Sequence, residues 1–120
     1  MKIIITESKL EKLAINLIDD KFKDVEPYNA KGFPNTTFFQ EDGKIMFQYR
    51  KDTEQATFKT DVYEGLESYF GMDYYSVKLL LVMWMWEKYK LKTSDVRFMS
   101  NFTRNDWDVI ETKIRYERFN

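Results

Sequence analysis

The chain reads as an α+β domain: three to four helices around a central buried helix, with a small antiparallel β-hairpin sheet on one side. Three observations predict it. Residues 10–18 repeat apolar side chains at helical spacing, two β-rich runs flank Asp42-Gly43, and residues 74–91 are apolar on nearly every side. At 120 residues the chain is expected to form a single globular domain over 1–120, because a second core would be starved of side chains.

Residues 2–5 read as a short strand or extended lead-in. The first helix follows, with Thr6 or Ser8 as its cap; Ser8 and Glu11 have the spacing of a capping box. Leu10, Leu13, Ala14, Leu17 and Ile18 form its apolar stripe, and Lys9, Lys12, Asp19 and Asp20 fall outside it and are expected to face water. From Phe22 to Pro34 the periodicity breaks, and Pro27, Gly32 and Pro34 mark a loop. Thr36 to Gln40 and Lys44 to Arg50 then read as strands. Asp-Gly between them supports positive φ, the requirement of a tight hairpin. Ala56 to Lys59 adds a third short strand.

Thr60 or Asp61 is expected to cap a helix carrying Val62, Tyr63, Leu66, Tyr69 and Phe70, and Gly71 to end it in the left-handed conformation. Asp73 caps the next helix, which runs to about Leu91. One of its sides carries Tyr74, Val77, Leu81, Trp84 and Met85; the other carries Tyr75, Leu79, Val82, Trp86 and Tyr89. A helix apolar all round is buried by neighbours, so this one is expected to be central. A buried strand over Leu79 to Trp86 is the competing reading, since so short a run has no decisive period. Val96 to Met99 reads as a brief strand. A last helix, from Arg104 or Asn105 to about Arg118, presents Trp107, Ile110 and Ile114 on one face.

Composition narrows the chemistry. The chain has no histidine and no cysteine, but 10 Phe, 8 Tyr and 3 Trp. That removes the side chain that titrates near neutral pH, the thiolate nucleophile, disulfides and thiolate zinc sites. Basic and acidic residues nearly cancel, 19 against 20, so no global field draws the protein to nucleic acid or an anionic membrane. The opening is too brief for a signal peptide, and the longest apolar run, eight residues, is far short of a membrane helix. Asn35-Thr36-Thr37 and Asn101-Phe102-Thr103 fit the glycosylation sequon but have no secretory signal beside them.

Few constellations carry chemistry. Asp61, Glu64 and Glu67 could hold a hard cation, but they also suit a solvated helix face near a positive N-terminus. The acid-x-Lys triplets Asp19-Asp20-Lys21, Asp42-Gly43-Lys44 and Glu111-Thr112-Lys113 have the letters of a metal nuclease. Two fall on predicted helices and one on a hairpin tip, not on adjoining strands. There is no glycine-rich phosphate loop and no Gly-x-Ser-x-Gly elbow, and none of the five serines is marked as activated. No catalytic residue, metal or cofactor is expected. Phe47, Tyr49, Arg50 and Lys51 mix rings with cations and could bind single-stranded nucleic acid, with Phe38 and Phe39 opposite. The same alternation buries rings and solvates charges on an ordinary strand. Tyr28, Phe33 and Phe119 lie off the helical stripes and are the candidate protein-binding aromatics.

The start Met1-Lys2-Ile3-Ile4-Ile5-Thr6-Glu7, with the helix behind it, resembles small proteins of tailed bacteriophages and marine viral sequence that open on "KIIITE". In those an amphipathic helix and a hairpin precede a helix–Phe-Gly–helix segment, here Leu66 to Leu91 with Phe70-Gly71 at the junction, closed by Leu91-Lys92. The resemblance implies a phage or related element and location in the bacterial host cytoplasm or the virion. It carries no activity and no site residues. The function expected is non-enzymatic: an accessory, capsid or tail protein, or an inhibitor of a host factor, working through contact with a viral or host protein or a second copy. The alternative is single-stranded nucleic-acid binding by the hairpin aromatics. An enzyme comes third.

Overall fold

A computed structural model describes residues 7–99 and 105–119, with the side chains of 9–99 and 107–117. The expected lead-in at 2–5, Thr6 as a cap, Arg104 as a helix start and the sequon at Asn101 lie outside the described residues. So do the side chains of Ser8 and Phe119. The protein is α+β. The elements run α1 (Glu7–Lys21), β1 (Glu26–Tyr28), β2 (Thr36–Glu41), β3 (Lys44–Arg50), β4 (Gln55–Lys59), α2 (Thr60–Phe70), α3 (Tyr74–Tyr89), β5 (Asp95–Met99) and α4 (Asn105–Phe119).

The sheet is larger than the expected hairpin. Five strands lie in the order β1-β2-β3-β4-β5. The first four pair antiparallel, and β5 joins β4 in parallel. A parallel neighbour needs a long crossover, and α2 with α3 supplies it. The loop expected from Phe22 to Pro34 contains the edge strand β1, and Phe22 itself is buried. Pro27 falls on that edge, where its missing N–H costs no ladder bond.

Helices cover both faces of the sheet. On one side α1, α2 and α3 pack over Phe39, Phe47, Tyr49, Ala56, Phe58 and Val96. On the other, Trp107, Ile110 and Ile114 of α4 pack with Phe38, Ile45 and Ala30. A β-bulge makes this partition possible. Phe39 pairs with Phe47 and Gln40 with Ile45, so Met46 is the extra residue. The insertion shifts the side-chain phase, sending Ile45 to α4 while Phe47 faces the helix layer.

Register then builds a row of phenylalanines across four strands, Phe39–Phe47–Phe58–Phe98. The first three are stacked, with ring centroids 4.4 and 4.8 Å apart. Each such pair adds about 0.5–1.5 kcal/mol beyond the area it buries. Asp42 and Gly43 both have positive φ, as the tight hairpin between β2 and β3 requires.

Local details differ from the sequence reading. Ser8 lies within α1, which is helical from the first described residue, Glu7, so it is not the cap. Leu13 is half exposed although it lies on the apolar stripe, and Asp19 is not a solvent residue. Its Oδ1 accepts a 2.8 Å hydrogen bond from Trp84 Nε1, which satisfies a buried indole. Neither Thr60 nor Asp61 caps α2; Lys59 holds that position with no side-chain bond. Gly71 does end α2 at φ 64°, and Asp73 does cap α3 by accepting from the Ser76 N–H at 2.8 Å. Residues 79–86 are helical, so the strand reading of that run is set aside.

Candidate protein-docking surface

α3 lies against the sheet by one face only. Val77, Leu80, Leu81, Trp84 and Met85 point inward and are buried. Turned away from them are Tyr75, Leu79, Met83 and Trp86, which are 78, 64, 47 and 51% exposed. Their spacing of four, four and three residues sets them in one stripe along the helix. The expectation of a helix enclosed on all sides is therefore corrected. The sheet, α1 and α2 cover its inner half, and no described element covers the stripe.

The ends of the stripe are polar. At the N-terminus the Ser76 amide holds the Asp73 carboxyl below the usual carboxylate range. At the C-terminus Lys90 stands at φ 56°, its N–H on the last carbonyls, and its ammonium lies 5.5 Å from the Trp86 ring centroid. Along one flank Lys78 reaches Asp95 at 3.7 Å and lies 4.7 Å from the Tyr74 ring centroid. Beside the stripe a groove of about 320 Å³ runs between α1 and α3, lined by Leu10, Glu11, Met72, Leu79, Leu80 and Met83. The result is an apolar ridge next to a groove whose apolar lining is joined by the carboxylates of Glu11 and Asp73.

The aromatics singled out from sequence occupy other places. Tyr28 is half-buried, and its hydroxyl donates to Glu117 Oε2 at 2.9 Å. Burial first, and then that carboxylate, push its pKa up. Phe33 is half-buried and packs edge-on against Phe38, with centroids 5.6 Å apart. Both support the α4 core and neither joins the α3 stripe. Phe119 ends α4, and its side chain is outside the described residues.

The hairpin candidates divide. Phe47 and Tyr49 are buried in the main core, so neither ring can stack on a base, and Phe38 and Phe39 are buried as well. Arg50 pairs with Asp52 at 2.8 Å. Lys51 is exposed, and its backbone N–H donates to the Asn35 carbonyl. A notch of about 320 Å³ does bring Phe33 and Arg50 together, with Thr36 and Gln48.

The acidic groups are mostly engaged or scattered. Asp61 pairs with Lys21 at 3.5 Å, and Glu67 accepts from the Tyr63 hydroxyl. Glu111 accepts the Ile45 N–H at 2.8 Å, tying α4 to the bulged strand. Among the described residues no group of three or more acids could hold a metal ion. A wider cleft of about 610 Å³ between the β1–β2 edge and α4 is lined by Asp24, Glu26, Glu41, Asp42 and Glu117. Among the described residues no helix is long and apolar enough to cross a membrane.

No family model, curated protein or solved structure matches the chain. The stripe is not legible in the sequence, because apolar residues all round a helix predict enclosure and do not say which side the neighbours leave bare.

Proposed function

We propose that the protein is a non-enzymatic docking protein of a phage or related element, an accessory or virion component or an inhibitor of a host factor. It holds its partner on the outer face of α3. The observation that carries this reading is the bared stripe Tyr75–Leu79–Met83–Trp86. Large rings and flexible methionine are the side chains enriched at protein interfaces, and a contiguous apolar patch costs solubility unless something covers it. The phage origin rests on the "KIIITE" resemblance. The nucleic-acid alternative loses its main support with the burial of Phe47 and Tyr49.

The test is capture from infected host cells by tagged protein, comparing wild type with Leu79→Glu and Trp86→Glu. Partner recovery should fall at least tenfold in both variants, while Arg50→Ala retains it. Equal recovery by all four proteins would sink the proposal. Mass spectrometry of purified particles separates a virion component from a host-directed one.

A further inference from the structure

From that docking reading, on which this rests, we infer that the occupant of the α3 stripe is a second copy of the same chain. The two α3 helices run antiparallel about a two-fold axis level with Leu80 and Leu81. The pattern itself is self-complementary. Tyr75 and Trp86 lie equally far from that midpoint, and so, within one residue, do Leu79 and Met83. A two-fold axis there sets each ring against the other ring and Leu79 against Met83, the isologous arrangement of a symmetric dimer.

Charge agrees with this direction. The register that opposes Tyr75 to Trp86 brings the Asp73 end of one helix to the Lys88–Lys90 end of the other. Glu87 offsets one of those lysines and leaves that end net positive. The helix dipoles, with their opposed ends adjacent, favour the same orientation. A parallel pairing would set Asp73 against Asp73 and lysine against lysine.

Area is sufficient. An aromatic side chain carries about 150–250 Å² when bared, so the exposed parts of these four residues come to about 500 Å² per copy. Pairing two such stripes buries about 1,000 Å² before the flanking groove is included, which reaches the threshold for a specific interface.

Sedimentation equilibrium of the full chain across the micromolar range tests this. The expected mass is twice the 14.6 kDa of one chain. Leu79→Glu and Trp86→Glu should return it to one chain, with far-UV circular dichroism like that of wild type because both sites are exposed. Orientation is read by cross-linking, since the chain has no cysteine of its own. Tyr75→Cys mixed with a size-tagged Trp86→Cys should form the mixed disulfide. Each variant alone should not, because in this register its thiol lies about 16 Å along the axis from its own copy. A wild-type monomer throughout the range overturns the inference, as does self-cross-linking as efficient as the mixed reaction. A monomer that still captures another protein through Leu79 and Trp86 overturns only the two-fold pairing and leaves the docking reading standing.

Discussion

Leu79 and Leu81 are two positions apart on α3, yet one is open to solvent and the other is sealed against the sheet. Truncation should separate them. Leu81→Ala is expected to cost about 2–5 kcal/mol, the loss of buried methyl groups plus a cavity. Leu79→Ala should stay within about 0.5 kcal/mol, as for other exposed positions. Urea unfolding of the two variants at concentrations where the wild type is monomeric checks this, and equal costs would mean that Leu79 is covered within one chain. Asp19 offers a second residue-scale case. Removing its carboxylate in Asp19→Ala leaves the Trp84 indole N–H buried without a partner, at about 1–3 kcal/mol, whereas Asp19→Asn keeps an acceptor and should lose less. Sequence periodicity placed Asp19 outside the apolar stripe and was right about the helix. It could not see that Trp84, 65 residues later, would need an acceptor there. Long-range partners of this kind leave no local trace.

At the scale of elements, helix ends carry their own information. Gly71 ends α2 at φ 64° with open space around the position of a Cβ, so Gly71→Ala meets only backbone strain, about 1–2 kcal/mol. Lys90 ends α3 in the same conformation without being glycine, and Lys90→Gly should stabilise the fold by up to about 1 kcal/mol. Opposite signs in thermal melts are the expected outcome. These ends were legible: Gly71 and Asp73 read as a stop followed by a start, and the structure places them so. The hairpin at Asp42-Gly43 was legible for the same reason, because positive φ has few chemical solutions. The edge strand β1 was not, since three residues containing proline have no period to detect. Nor was the Met46 bulge, which depends on which residue of β2 faces which residue of β3.

For the whole molecule, the absence of histidine and cysteine predicts a flat response to pH through neutrality. At the acid end, Arg97 beside Asp95 and the Ser76 amide at Asp73 hold both carboxyls below their ordinary values. As pH falls through the ordinary carboxylate range the unfolded chain takes up these protons first, so stability drops until the folded pKa values are passed, and then levels. At the alkaline end, burial first, then Asp19, raises Tyr89, and burial first, then Glu54, raises Tyr49. The unfolded chain then loses its phenolic protons first, so stability also drops above about pH 10. Thermal midpoints should form a plateau between about pH 5.5 and 9. A drop of many degrees between pH 7 and 5.5 would contradict this account. The α+β class and the single domain were expected from sequence, and the class is what the structure has. The two-sided coverage of the sheet was beyond sequence reading, because Trp107, Ile110 and Ile114 announce an apolar face without naming the surface it meets.

The three tryptophans occupy three different settings: Trp84 in the main core beside Asp19, Trp107 on the sheet-facing side of α4 with its indole donating to Gln48, and Trp86 on the outer stripe. The molecule therefore carries its own set of optical reporters. Emission from a variant that keeps only one indole would follow detachment of the last helix, melting of the phenylalanine row, or shielding of the outer face. Each would be a separate signal, and no dye would have to be attached.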